Sequence, residues 1–335
     1  MDEPLRLKRW NEDTVIDVDF KIVSWEKLDT ADPRDSKGWK DRALQVTKMI
    51  RKMEHSEYKK TIHKGQLAML VFDSNRMEGT ISTKLQQGPT MMRIMELMSI
   101  GMIEPPVVEW CSEGGRETNC RSSDRQLFQS AKAVEFLLVQ SLNSPLTFDL
   151  IVQTHKLLME NSYVEESGNK IPVEVGKVRT VREVYAEGYQ FLRAEAVVGA
   201  LKHLVERYNE NSEIHPISLA SFLFYELITI HPFENGNGRL CRLLMAWSLM
   251  HDGFPFAVNL SSGHKKSRNH YMHAIKHTRR TQDRGELNVI LVLSMENVMS
   301  NYSENMRLMK NASLTAMSSI GSNTVPGREL KDVSI

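Results

Sequence analysis

The chain has 335 residues, 41% apolar and 25% charged, which excludes wholesale disorder and fibrous repeats and allows one large domain or two modest ones. Lysine and arginine number 43 against 42 aspartates and glutamates, a formal net charge of +1, so a surface that grips polyanions everywhere is excluded and no nucleic-acid partner is expected. Three cysteines are too few for a disulfide framework, no run approaches about 20 apolar residues, and the opening MDEPLRLKRWNEDT lacks the apolar stretch of a secretory signal, so a cytoplasmic protein without a membrane partner is expected.

Residues 1–40 mix charge with Asp, Pro and Gly and read as an N-terminal arm with one short strand from Val15 to Val23. From Asp41 to about Met77 the pattern is helical, with Leu44, Val46, Met49, Ile50 and Met53 near a 3.6 period. Residues 105–121 read as a loop. Ser123 then opens a helix with Gln126 in capping-box position and an inner stripe of Leu127, Ala131, Val134, Leu137 and Leu138. Thr147 caps the next helix, whose face carries Leu150, Ile151, His155 and Leu158. Glycines at 168, 176 and 188 punctuate alternating residues over 161–193, the pattern of a hairpin or flap. Helices resume over Ala194–Tyr208, Pro216–Ile230, Arg239–Met250, Ser267–Thr281 and Leu287–Glu304, and the serine- and glycine-rich end reads as a flexible tail.

The stretch that carries chemistry is Ile217 to Met250. Glu226 is the only charged residue between Ile217 and Ile230, so this helix belongs in the middle of a domain and delivers His231 from a rigid support. Pro232 ends it. Gly236-Asn237-Gly238 then lead into an apolar helix whose first N–H groups lack partners and attract anions. Arg239 and Arg242 stand in its first turn, where positive charge opposes the helix dipole by roughly 0.3–1 kcal/mol each. Accepting that cost fits a phosphate clamp, because arginine grips phosphate oxygens in bidentate fashion. Singly, each feature has an ordinary structural explanation; together, within twelve residues, they point to an active site. The loop is neither a Walker A motif nor a dinucleotide fingerprint, and the eleven histidines show no zinc-binding spacing.

His231-Pro-Phe-Glu-Asn-Gly-Asn-Gly-Arg239, extended to Arg242, resembles the motif of the Fic (Fido) family, H-P-F-x-[D/E]-G-N-G-R-x-x-R. Thr154-His155-Lys156-Leu157-Leu158 resembles an upstream family helix. Gly176-Lys177-Val178-Arg179-Thr180 resembles the start of the flap that clamps a target peptide. The resemblance covers about residues 60–305 and implies an all-α fold, a helical bundle with a small β-hairpin flap. The domain expectation is an arm (1–40), a catalytic domain (41–305) and a tail (306–335).

The activity implied is transfer of AMP from ATP to a hydroxyl of a target protein, with Mg²⁺ or Mn²⁺, and self-modification is a corollary. His231 would be the general base, a role that suits a neutral imidazole. Asn237 and the N–H groups around Gly236 and Gly238 would hold the α-phosphate, and Arg239 and Arg242 the β- and γ-phosphates. Tyr271 would stand at the adenosine end. Where the family has a carboxylate that binds Mg²⁺, this chain has Asn235, which can ligate but brings no charge.

Ser74-Asn-Arg-Met-Glu78-Gly79 resembles the family's inhibitory motif, [S/T]-x-x-x-E-[G/N], at a helix end near Gly79. A carboxylate there that reaches Arg242 would deprive the γ-phosphate of its partner. Three other readings stay open: removal of AMP from a modified target with Glu78 positioning water, transfer of another nucleotide or phosphate group, and a nucleotide-binding regulator with weak catalysis. The oligomeric state is also open, a homodimer included.

Overall fold

The computed structural model describes residues 35, 38–53, 58–81, 86–99, 117–166, 169–186, 188–211, 213–260 and 267–321. Among these the chain is helical: α1 (Lys40–Arg51), α2 (Tyr58–Met77), α3 (Gln87–Ser99), α4 (Glu117–Glu135), α5 (Phe148–Met159), α6 (Ala194–Glu210), α7 (Pro216–Ile230), α8 (Asn237–His251), α9 (Ser267–Thr281) and α10 (Gly285–Gly321). Two antiparallel hairpins interrupt the helices, β1 (Tyr163–Glu166) with β2 (Asn169–Pro172), and β3 (Tyr185–Ala186) with β4 (Tyr189–Gln190). Among the described residues no helix is long and apolar enough to cross a membrane.

The packing centres on α7 and α8. Pro216 pre-sets the first turn of α7, and the His215 ring accepts from the Ile217 N–H at 3.3 Å. Apolar side chains on every face bury this helix among its neighbours, and α8 is buried from Leu240 to Met250. Residues 231–236 join the two. Trp247 on α8 packs beside Tyr208 on α6 and donates its indole N–H to Ser141 O at 3.2 Å, tying both to the end of α4. There α4 widens into a π-helical turn (Phe136–Gln140), closed by Ser141 N–H to Phe136 O at 2.9 Å.

The stripes expected on α4 and α5 are buried, and Thr147 accepts from the Leu150 N–H at 3.0 Å as the cap of α5. Other expectations change. The helix expected from Ser123 begins at Glu117, so Ser123 lies inside α4; no glycine or proline stands between the two positions to oppose the earlier start. On α1 the buried face is Ala43, Val46, Thr47 and Ile50, which leaves Leu44 outward, one position off the stripe. The last helix runs on through Gly321, past the expected end at Glu304, because Ala312, Leu314, Ala316 and Met317 favour helix as strongly as the serines oppose it. The strand expected at Val15–Val23 and the tail after Gly321 lie outside the described residues.

Candidate active site

Hydrogen bonding in the last turn of α7 leaves carbonyls over, and these organise the site. His231 follows in the left-handed conformation (φ 52°, ψ 62°), which costs a residue with a Cβ roughly 1–2 kcal/mol. Arg179 offsets that strain. It is 3% exposed, and its guanidinium donates to His231 O at 2.7 Å, Ile230 O at 3.0 Å and Leu192 O at 2.5 Å. Its own N–H donates to Pro232 O at 2.9 Å. One arginine thus closes the end of α7, the turn after it and the chain beyond β4.

The imidazole of His231 lies flat on Phe191, ring centroids 3.8 Å apart and planes 23° apart. Its Nδ1 is 3.3 Å from Ile228 O. A carbonyl only accepts, so Nδ1 carries the proton and Nε2 keeps the lone pair. Burial pushes the His231 pKa down to about 4; the Ile228 carbonyl and Glu78 oppose the fall, and Arg179 and Arg279 add to it. The ring is neutral at physiological pH.

The next turn is closed from within. Asn237 brackets Phe233, its Oδ1 accepting from the Phe233 N–H at 3.0 Å and its Nδ2 donating to Phe233 O at 2.7 Å. Its Oδ1 and one of its two Nδ2–H groups therefore serve the turn itself. Phe233 is fully buried and stacks face to face on His155, 3.7 Å and 4°. His155 Nδ1 accepts from the Gly176 N–H at 2.9 Å, so its Nε2–H donates to Asn235 O at 3.0 Å. Burial lowers its pKa to about 4, Arg239 contributing and the Asn235 carbonyl opposing. Gly236 has φ +77°, and a Cβ there would stand 2.6 Å from Met159 Sδ, so only glycine fits. The first N–H groups of α8, from Asn237, Gly238 and Arg239, remain for an anion.

Both arginines are buried behind that helix end. Arg239 donates through Nη1 to Gln126 Oε1 and through Nη2 to Met159 Sδ at 3.1 Å, while its Nε has no hydrogen-bond partner. Burial drops its pKa to about 10; Glu78 opposes this and Arg242 adds to it. Arg242 is fully buried, and four of its five N–H groups have acceptors. Its Nε donates to Ser74 Oγ at 3.0 Å, Nη2 to Ser74 O at 3.1 Å and to Glu78 Oε1 at 2.6 Å, and Nη1 to Tyr271 OH at 3.3 Å. Burial opposes its charge, but the Glu78 carboxylate and Tyr271 outweigh it and the pKa rises.

Glu78 reaches this position from the end of α2. Gly79, at φ +66°, turns the chain, and Asn75 locks the turn: it donates to Val71 O and Ser130 Oγ, both at 2.8 Å, and accepts from Thr80 Oγ1 at 2.9 Å. Asp73 accepts from Asn259 Nδ2 at 3.0 Å. Glu78 Oε1 lies over Gly238 so closely that a Cβ at that glycine would collide with it.

The residues expected at the flap divide between core and surface. Arg179 turns inward, whereas Lys177, paired with Glu174 at 2.8 Å, and Thr180 are exposed; Gly176 sits on Lys156 and Val178 packs on the core. Tyr271 is buried, edge-on to Phe224, with its hydroxyl on Arg242. Sequence reasoning also missed Phe191, Gln126 and the linking role of His155. The signal for Gln126 was present: two arginines at a buried helix start need acceptors from a neighbouring element.

Among the described residues no three His, Cys, Asp or Glu side chains gather into a metal site. Glu234, next to Asn235 in the chain, pairs with Arg182 at 3.5 Å, and Glu78 pairs with Arg242. This donor set does not fit a resident divalent cation, which takes one or two carboxylates besides phosphates.

Residues 145–249 match the Fic/DOC family. Protein adenylyltransferase fic-1 of Caenorhabditis elegans is 34% identical over 128 residues, 37% of this chain and 23% of that protein. A Fido domain-containing protein of Dictyostelium discoideum is 29% identical over 129 residues, 38% of this chain and 90% of that one. The chain spans about a quarter of the length of the two Caenorhabditis relatives, at 23% and 24%. The solved structure of Fic-1 residues 134–508 from C. elegans superposes with a TM-score of 0.57 at 22% identity, over 79% of this chain and 70% of that one, a likeness of fold. The matched residues take in α7, the loop at His231 and the start and body of α8, so the similarity to the Fic/DOC family falls on the elements that assemble the site.

Proposed function

We propose that this chain transfers AMP from ATP to a hydroxyl of a protein target, and that the conformation described is the self-inhibited one. The observation that carries the reading is the Glu78–Arg242 ion pair, 2.6 Å long, lying over the N-terminus of α8. A carboxylate there occupies the place that a phosphate oxygen needs. The names of the relatives, protein adenylyltransferases, support the nucleotide and the reaction.

In the transfer, His231 Nε2 takes the proton of the target hydroxyl. The oxygen attacks the α-phosphorus, and the bond from that phosphorus to the pyrophosphate oxygen breaks. The free N–H groups of Asn237, Gly238 and Arg239 face the α-phosphate. Arg239 and Arg242 take up the charge that develops on pyrophosphate, in a buried setting where such contacts are strong. Arg239 stays cationic although burial opposes it, since a pKa of about 10 lies well above neutrality. Gly176 and the exposed Lys177 and Thr180 begin the target-binding edge, with residues 41–305 as the catalytic unit. A metal ion that accompanies ATP comes with its phosphates, and no step is assigned to a protein-held ion.

The reverse reaction is the second reading, favoured by the position of Glu78: a carboxylate over Gly238 is placed to orient a water. Intact mass spectrometry of the protein and candidate targets after incubation with ATP tests the first reading, which requires a gain of one AMP. A pre-modified target that loses AMP supports the second.

A further inference from the structure

The catalytic reading leaves one cluster of side chains unused. Phe191 lies under the His231 ring. Tyr189 meets Phe191 edge-on, centroids 5.2 Å apart and planes 79° apart. The Arg279 guanidinium, from α9, sits on the Tyr189 face at 3.6 Å and 5.5 Å from the Phe191 centroid. Four residues from the turn after α7, the β3–β4 hairpin, the segment after it and α9 therefore form one cluster, in which His231 lies on Phe191 and Arg279 reaches both Tyr189 and Phe191.

His231 needs such a support. Its backbone is pinned by Arg179, but its ring has one hydrogen bond, the 3.3 Å contact with Ile228 O. A single bond of that length holds an imidazole weakly against rotation about its last torsion. A flip would exchange the two nitrogens and present a protonated one to the incoming hydroxyl. A flat contact 3.8 Å away penalises tilting, and Phe191 is itself fixed, by its N–H to Val184 O at 3.1 Å and by burial.

We propose that Phe191 is a positioning residue for His231, and that Arg279 anchors it through Tyr189, so that the hairpin beside the target-binding edge sets the pitch of the base. The inference rests on the reading of His231 as the base. It also gives the hairpin a role at the surface, because Val181 and Tyr185, 87% and 64% exposed, place the outer side of this segment in contact with whatever docks there. The charged groups around His231 are Arg179 from the flap, Arg279 from α9 and Glu78 from the end of α2. Removing Arg279 takes away one cation and lets the imidazole hold its proton to higher pH.

The test uses the full chain carrying Glu78→Gly, with Phe191→Leu, Phe191→Tyr and Arg279→Met added singly. Three quantities are read: the NMR signal of the His231 imidazole against pH, the affinity for ATP, and kcat for AMP transfer. Phe191→Leu should abolish the ring-current displacement of the His231 signal. It should also lower kcat about ten- to a hundred-fold, since a misplacement of about 1 Å can cost 10²-fold, with ATP affinity unchanged. Phe191→Tyr should restore both. Arg279→Met, which leaves Phe191 in the core and so serves if Phe191→Leu does not fold, should move kcat the same way by less and raise the pH at which His231 titrates. An unmoved His231 signal with unmoved kcat overturns the proposal, and so does a parallel loss of kcat and ATP affinity. If the parent transfers no AMP while the His231 signal still responds to Phe191, the positioning stands and the transferase reading fails.

Discussion

Replacing Glu78 separates inhibition from architecture. In the parent its carboxylate, 30% exposed, pairs at 2.6 Å with a guanidinium that is wholly buried. A hydrogen bond between charged groups contributes about 1.5–3 kcal/mol. Glu78→Gly removes it and leaves Arg242 with Ser74 Oγ, Ser74 O and Tyr271 OH, all neutral. The buried cation is then under-compensated, which lowers the stability of the ligand-free protein and raises its affinity for a phosphate oxygen. At about 1.4 kcal/mol per decade, transfer should rise roughly ten- to a hundred-fold. Glu78→Gln, which keeps the size and removes the charge, should give most of that gain. Two measurements check this: self-modification by labelled ATP, and the rise in melting temperature on adding ATP, which should be larger in both variants. The gain should vanish in the double variant with Arg242→Ala. Variants no faster than the parent, with an unchanged thermal shift, would refute the argument; the same variants failing to strip AMP from a modified target would instead identify Glu78 as part of a hydrolytic site.

Further outcomes follow from the same geometry. His231→Ala should cut transfer about 10²–10⁴-fold while calorimetry still detects ATP binding; in the parent, transfer should be flat above the His231 pKa of about 4 and fall as acid protonates Nε2. Asn235→Asp should lower the metal concentration needed for half-maximal transfer in a Mg²⁺ titration, because a carboxylate replaces a neutral amide; an unchanged requirement would remove this side chain from the metal question. Arg179→Met should depress kcat and stability together, read by thermal melts beside the transfer assay, because it unpairs two carbonyls at the end of α7 and the Leu192 carbonyl beyond β4. Burial raises the Glu135 pKa from 4.5 to about 7, against a lowering contact from Gln140, so the folded state binds this proton more tightly than the unfolded one. That stabilisation is complete below about 4.5 and is lost as pH rises through about 7; melts at pH 5 and pH 8 should show a smaller decline for Glu135→Gln than for the parent.

The centre of the fold was legible because α7 and α8 announce themselves: an apolar run with one charge, a proline at each end of α7, and a glycine pair before the next apolar run. The Glu78–Arg242 ion pair was legible as soon as Arg242 needed an acceptor, since Glu78-Gly79 ends a helix upstream of it. What periodicity left open was the direction of side chains. Asn237 lies in a glycine-rich loop, yet spends its amide on Phe233, because a turn that must hold its shape consumes its own polar groups. Arg179 sits among exposed flap residues, yet is buried, because the last carbonyls of a buried helix need donors from elsewhere in the chain. Periodicity assigns a face to a helix, but it gives no face to a residue in a loop, and Phe191 and Arg179 both lie in loops.

Asn75, tied to Ser130 on α4, holds the end of α2 against the rest of the bundle, so the carboxylate on Arg242 is delivered by the same chain that bears the guanidinium. Its local concentration is therefore fixed by the fold, on the order of millimolar or above for a short connection, whatever the concentration of the protein. Dilution does not loosen the pair. A free anion that competes for Arg242 meets the full strength of an intramolecular rival, and a partner that pries α2 away lowers that rival's concentration for every nucleotide at once.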